Sequence, residues 1–219
     1  MTTVQTIEVQ CSICGESSTH VVIGSTNQMG SPDLDTRPPE MARSTIRHGV
    51  QRCTSCNYCS SDLSKCEAGA DEIIRSTEYL EIVRDFRGQN VSAFYLADSL
   101  ISEKQNHYAK AFWRALHAAW LCDDEGRAEI AEKCRIQASD LLVRATRNSE
   151  EISDQKGAAE LIALDLMRRT KKFDEARELI ASIEQTEFED IILEIAKFQG
   201  ELIRQRDVQT HTISDAIDS

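Results

Sequence analysis

Two Cys-x-x-Cys pairs, Cys11-Ser-Ile-Cys14 and Cys53-Thr-Ser-Cys56, are the residues of this chain whose type and spacing speak most directly of chemistry. Two thiolates separated by two residues grip one ion from a tight turn, in which backbone amides point at the sulfurs and the next residue takes φ > 0. Gly15 follows the first pair and Asn57 the second, the two residue types that accept that conformation most readily. Two such knuckles supply four sulfurs, which suits tetrahedral zinc at about 2.3 Å per bond and leaves no position open for a substrate. The spacing therefore predicts one structural Zn2+ held by Cys11, Cys14, Cys53 and Cys56. A thioredoxin-type redox couple would need a single pair at a helix start inside a βαβ unit, which this stretch does not resemble. Cys59 extends the second knuckle and Cys66 follows, so ligand exchange or an iron–sulfur cluster stands against the plainer reading of two free thiols. His20 could replace a thiolate, but its place in Thr-His-Val-Val-Ile predicts a surface position on a strand.

The elements that must hold these knuckles are small. Strand-like segments cover residues 6–10, 20–25 and 50–52, giving a two- or three-stranded sheet that buries little apolar area. A structural zinc can contribute on the order of 10 kcal/mol to such a fold, so this part is expected to unfold without metal. Between the knuckles lies an insert containing Pro32, Pro38 and Pro39, the only prolines of the chain. Pro38 and Pro39 suit a helix start, Glu40 its first turn and Gly49 its stop, which predicts a short helix over residues 39–48. Arg37, Arg43, Arg47 and Arg52 form, with His48, the one basic cluster and are candidate partner-binding residues for an acidic partner or an anion. The blander expectation is that Arg37 and Arg43 pair with Asp33 and Asp35 to stiffen a long loop. Two carboxylates alone are weak evidence for a hard-metal site.

Residues 30–41 of this insert, Gly-Ser-Pro-Asp-Leu-Asp-Thr-Arg-Pro-Pro-Glu-Met, lie between a CxxCG knuckle and a CxxC-x-Tyr knuckle and are followed by helical repeats. In this the chain resembles a mainly bacterial family of unknown function that combines a zinc ribbon with tetratricopeptide-like helices. The resemblance covers most of the chain and is most specific over residues 11–58. It implies zinc ligands at the same four cysteines and no known enzymatic activity. The family commonly has Cys-Pro-x-Cys-Gly-Tyr where this chain has Cys53-Thr-Ser-Cys56-Asn57-Tyr58, and Cys59 is not a standard feature of it.

Beyond Gly69 there is no proline, and apolar residues recur at helical spacing. Ile73, Ile74, Tyr79, Leu80 and Val83 mark one helix that Gly88 should end, and a second begins at Val91. A third covers residues 108–122 and a fourth residues 128–147, with Ile130, Cys134, Ala138, Leu141, Leu142 and Ala145 on one stripe. Residues 160–183 match a tetratricopeptide hairpin best, through Ala163, Leu164 and Met167 and then Phe173-Asp-Glu-Ala176, Ile180 and Ile183. The helix from Trp113 to Trp120 reads as a degenerate first helix of another unit, and a helix over 187–206 should cap the stack. Tyr108, Phe112, Trp113 and Trp120 are expected in the core rather than in a ligand box. His107 and His117 stand 10 apart, unlike the i, i+4 pair that grips zinc, and Cys122 and Cys134 read as inert thiols on apolar faces.

The expected architecture is therefore mainly α. Residues 1–68 form a small zinc ribbon of short β-strands and two CxxC knuckles, residues 69–207 tetratricopeptide-like antiparallel helical hairpins, and residues 208–219 a polar, loosely ordered tail. The net charge of −12 falls mostly on the helical part, since residues 1–70 hold 5 Lys/Arg against 7 Asp/Glu and the rest 20 against 30. Such acidity repels phosphate backbones and disfavours nucleic acid as a partner. No apolar run approaches the roughly 20 residues that cross a bilayer, and the first residues do not read as a secretory signal, so a reducing, cytoplasmic setting is expected. No nucleophile elbow, phosphate loop or carboxylate pair stands out. The leading expectation is a non-enzymatic adaptor that binds a protein or peptide. The alternatives are a nucleic-acid-associated ribbon acting through the arginines, and a thiol- or metal-responsive protein using Cys59 and Cys66.

Overall fold

Each knuckle sits at the tip of its own small hairpin. The computed structural model describes residues 1–84 and 90–218. Strand β1 (Thr3–Gln10) pairs antiparallel with β2 (Ser17–Ser25), Ile7 facing His20 and Gln10 facing Ser17, and the first knuckle is the turn between them. Strand β3 (Gln51–Arg52) pairs antiparallel with β4 (Cys59–Ser60) around the second knuckle. The segment at residues 50–52 thus belongs to a second two-stranded sheet rather than to a third strand of the first.

The insert helix is shorter than residues 39–48. It begins with α1 (Ala42–Thr45) and continues as a 3-10 turn over Ile46–His48. Pro39 only supplies a carbonyl to the Arg43 amide at 3.0 Å, and the residues before it form a separate turn closed by the hydrogen bond from the Asp33 amide to the Arg37 carbonyl. Gly49 does stop the element, and a Cβ there would collide with the Tyr95 hydroxyl.

The helical part comprises α2 (Ala70–Ile73), α3 (Thr77–Arg84), α4 (Val91–Lys104), α5 (Tyr108–Asp124), α6 (Ala128–Arg147), α7 (Ala158–Arg169), α8 (Phe173–Glu184), α9 (Asp190–Gln205) and α10 (Ile213–Ile217). The helix expected through residues 73–83 is therefore two short ones, and its stop at Gly88 lies outside the described residues. From α4 onward the chain runs in antiparallel hairpins, α4 packing on α5, α5 on α6 and α7 on α8, while α9 packs on both α7 and α8. Hairpins joined by short turns stack because each amphipathic helix must cover its apolar stripe. On α6 the buried stripe takes in Ala131, Cys134, Ala138, Leu141, Leu142 and Ala145, whereas Ile130 lies outward. Among the described residues no helix is long and apolar enough to cross a membrane.

Among the described residues three apolar clusters fill the interior. In the first, Val9, Cys11, Val50, Cys53, Tyr58 and Leu63 of the knuckle region pack with Tyr79, Tyr95, Leu100 and Ile101 of α3 and α4. The second joins Phe112, Leu116 and Trp120 of α5 to Leu141 and Ala145 of α6 and to Ile162 and Leu166 of α7. The third lies among α7, α8 and α9 and receives Leu34 from the insert and Ala216 from α10.

Residues 208–218 do not form the loosely ordered tail expected over 208–219. Thr212 and Asp215 form a reciprocal capping box on α10, which satisfies two amides that a helix start leaves bare. Asp33 and Thr212 form an antiparallel bridge, the Leu34 amide donates to the His211 carbonyl at 2.9 Å, and the Ile213 amide donates to the Pro32 carbonyl at 2.9 Å. Arg168, fully buried, donates to the carbonyls of Asp207 and Gln209 at 2.9 and 2.8 Å. Backbone partners supply the order that side-chain hydrophobicity alone did not announce.

Candidate metal centre

The two knuckles have one geometry. The Gly15 amide donates to the Cys11 carbonyl at 2.8 Å and the Asn57 amide to the Cys53 carbonyl at 3.1 Å. The Cys11 amide donates to the Glu16 carbonyl at 2.9 Å and the Cys53 amide to the Tyr58 carbonyl at 2.8 Å. Gly15 takes φ of +76° and Asn57 φ of +63°, the left-handed conformation that the turn demands. These turns bring the Sγ atoms of Cys11, Cys14, Cys53 and Cys56 within 4.8 Å of one another. Cys11 and Cys56 are 3.7 Å apart and Cys14 and Cys53 3.5 Å. A tetrahedral ion with sulfur bonds of about 2.3 Å needs sulfurs about 3.8 Å apart, so the cluster has the size and donor set to hold one metal ion.

The surroundings of the four sulfurs differ. Cys11 and Cys53 are buried at 1% and 0% exposure while Cys14 faces solvent. Burial raises the Cys11 thiol, against the backbone amides of Cys14 and Ile13, and burial likewise raises Cys56 against the amide of Tyr58. The amide of Glu16 leads in lowering Cys14 to about 7. Both knuckles therefore aim amides at sulfur, which favours the thiolate form a metal requires.

Cys59 and Cys66 do not join the cluster. Cys59 is fully buried on β4, where burial raises its thiol, and Cys66 is exposed with its sulfur 3.4 Å from the Glu67 carbonyl. His20 is half-buried on β2 with Nε2 2.8 Å from Ser18 Oγ, also away from the four sulfurs.

Helical side chains hold the knuckle region from outside. The Tyr79 hydroxyl donates to the Asn57 carbonyl at 2.8 Å and accepts from the Cys59 amide at 3.1 Å. The Tyr95 hydroxyl donates to the Ile46 carbonyl, and Gln105 donates to the Ala68 carbonyl at 2.8 Å. Both tyrosines are buried, so each hydroxyl satisfies a backbone group that would otherwise lie dry. Sequence periodicity placed Tyr79 on a helix; nothing in it indicated that its hydroxyl reaches the turn that carries Cys53 and Cys56.

The four arginines have separate fates. Arg37 is buried at 3% exposure, its Nε 2.6 Å from Asp33 Oδ2 and its Nη1 3.2 Å from Asp124 Oδ1. Arg43 reaches Asp124 too, through Nε at 2.9 Å, rather than Asp33 or Asp35. Arg37 is thus not a surface group, and the expected loop-stiffening pair exists for Arg37 with Asp33 only. Arg52 lies over the Phe94 ring at 5.3 Å and donates to Asn57 Oδ1 at 3.1 Å. Arg47 is exposed and makes no ion pair among the described residues.

The acidic residues of the insert reach deep into the helical part. Asp35, 1% exposed, accepts from the indole Nε1 of Trp120 at 2.8 Å and lies 3.5 Å from Nη2 of Arg135, itself 1% exposed. Arg135 also pairs with Asp123 at 2.5 Å, and Asp123 accepts from Arg169 at 3.1 Å. Burial pushes the Asp123 carboxyl up, but Arg135, Arg169 and Arg37 outweigh it and hold it below the usual range. Burial raises Asp33 in spite of Arg37. The turn that presents these groups, closed by hydrogen bonds from Asp33 to Arg37 and from Thr36 to Asp33, holds Thr36 at φ of +68°, a costly conformation for a β-branched residue. The insert is a plug set into the helices by buried charge.

Trp113, Trp120 and Phe112 are packing groups, and His117 stacks within them, 4.7 Å from the Trp120 ring and 5.4 Å from the Tyr95 ring. Cys122 and Cys134 are buried neighbours on α5 and α6, in side-chain contact that lowers Cys122 to about 7 and raises Cys134. No family model, curated protein or solved structure matches this chain.

Proposed function

We propose that the four cysteines hold one zinc ion in a structural role and that the chain is a non-enzymatic adaptor whose helical body binds a segment of another protein. The observation that carries this reading is the closed cluster: four sulfurs at tetrahedral spacing leave an ion no open position at which a substrate or water could react. Thiolate donors also select zinc over hard cations such as magnesium or calcium. The family resemblance of the insert and knuckles points the same way. A ribbon stapled to helices by Tyr79, Tyr95 and the Asp35–Arg135 contact is a means of fixing shape, which suits a scaffold. The nucleic-acid alternative is weakened by the engagement of Arg37 and Arg43 with Asp33 and Asp124, which leaves fewer cations free to neutralise phosphates.

Elemental analysis and native mass spectrometry of the purified protein test the metal, with one zinc per chain expected and iron or a labile, substoichiometric ion counting against it. Affinity purification of the intact protein from native cells tests the adaptor. Recovery of a stoichiometric protein partner is expected, and its repeated absence would sink that part of the reading.

A further inference from the structure

A groove of about 750 Å³ opens where α7 lies between α6 and α8. Its floor is one stripe of α7, Ala159, Ala163 and Met167, at i, i+4 and i+8; Leu142 and Val143 of α6 line one wall and Leu179 of α8 the other. The two alanines make the floor deep, and Met167 is the most adaptable apolar side chain a groove can have. Val143 is 46% exposed, so apolar surface here remains open to water.

Length, wall type and charge each restrict the guest. From Ala159 to Met167 is about 12 Å at 1.5 Å per residue, the length of roughly two turns of a second helix. Helix faces and the loop residues 149–153 line the groove and no strand is among them, so no free strand edge is present for an extended peptide to pair with, whereas an amphipathic helix needs only side-chain contact. Of the lining carboxylates, Glu150 accepts from the Tyr108 and Ala109 amides, while Asp140, Glu151, Glu160 and Glu175 are in no ion pair among the described residues, and the lining cations are two, Arg147 and Lys172. A second copy would bring like charge, since residues 71–219 hold 30 Asp/Glu against 20 Lys/Arg.

We infer that this groove seats one amphipathic helix of a protein partner, apolar along one face for about two turns and flanked by Lys or Arg. The inference rests on the adaptor reading and narrows it to one face and one partner chemistry.

The test is selection of a displayed library of 16-residue helical peptides, randomised at both apolar and flanking positions, against the full-length metal-loaded protein. Enriched peptides should carry apolar residues at i, i+4 and i+7 with flanking Lys or Arg. They should bind at least tenfold more weakly to Ala163→Trp, which fills the floor, and to the Glu160→Lys/Glu175→Lys double variant. Leu179→Asp, on a half-buried wall, tests the apolar lining in its place if Ala163→Trp does not fold. Enrichment of acidic or uncharged peptides, binding indifferent to the floor and wall variants, or no enrichment at all would overturn the inference. So would a concentration-dependent dimer that Ala163→Trp abolishes, which would assign the groove to a second copy. A partner recovered from native cells that binds the groove variants undiminished would refute this site while leaving the adaptor reading intact.

Discussion

Replacing Asp35 with alanine should cost about 4 kcal/mol of stability although the residue lies in a proline-containing loop. Its carboxylate is the hydrogen-bond acceptor of the Trp120 indole among the described residues, Trp120 being 3% exposed, and an orphaned buried donor costs about 2 kcal/mol. Arg135, equally buried, would lose one of two carboxylates while keeping Asp123, which adds about 2 kcal/mol, below the 3–5 kcal/mol of a fully broken buried pair. Asp35→Asn keeps an oxygen for the indole and removes the charge, so it should cost about 2 kcal/mol. Urea unfolding followed by tryptophan fluorescence is the natural assay, because the chain has two tryptophans and their rings stand 6.5 Å apart beside this contact. In a Trp120→Phe background the loss from Asp35→Ala should fall to about 2 kcal/mol, since the orphaned donor is already gone. A loss below about 1 kcal/mol for Asp35→Ala, or an undiminished loss beside Trp120→Phe, would refute the view that the insert is fixed by buried polar contacts.

Three further outcomes are expected. Cys53→Ser should abolish stoichiometric metal and expose residues 1–68 to rapid hydrogen exchange, while Cys59→Ser and Cys66→Ser keep one ion per chain; retention of metal by Cys53→Ser would contradict the ligand assignment. Burial first, and then Arg114, lowers His117 to about 3, with Asp35 acting weakly the other way, so between about pH 6.5 and 3 the unfolded chain binds the proton and the folded chain does not. Stability that His117 leaves intact at pH 7 is therefore lost as pH falls, by roughly 2 kcal/mol at pH 5 relative to His117→Phe, and a pH-independent difference between the two proteins would dismiss it. Thr212→Ala removes the α10 cap and should cost about 1 kcal/mol, read by denaturant midpoint, with increased hydrogen exchange at residues 211–215.

The knuckles were legible because their chemistry is local. Cysteine spacing, Gly15 and Asn57 lie within six residues of one another in each turn, and the turn's conformation depends on little else. The long helices were legible for a similar reason: α6 has the bounds that its apolar stripe and the Asp123–Gly126 turn imply, and the hairpin of α7 and α8 begins and ends close to where Ala163, Met167 and Phe173 place it. The insert was not legible. Arg37 and Asp35 are charged residues in a loop, which reads as surface, and the groups they meet, Trp120, Asp124 and Arg135, follow 85 to 100 residues later. Position in sequence carries no signal for such a contact. Residues 208–218 misled for the same reason, because residues 211–214 are held by partners at residues 31–34.

That last pairing sets a timetable for the nascent chain. Residues 211–214 meet residues 31–34 across as many as 183 positions of sequence, and at roughly 5–20 residues per second a ribosome needs about 10–40 s to travel between them. The knuckles have the donors to hold an ion as soon as residue 60 or so has been made. The loop between them must wait, first for α5 and α6 to receive Asp35 and Arg37, then for the strand-like segment before α10 to close the bridge with Asp33. During that interval a closed pair of knuckles would be tethered to an unfinished body, with Leu34 still uncovered until α7, α8 and α9 receive it.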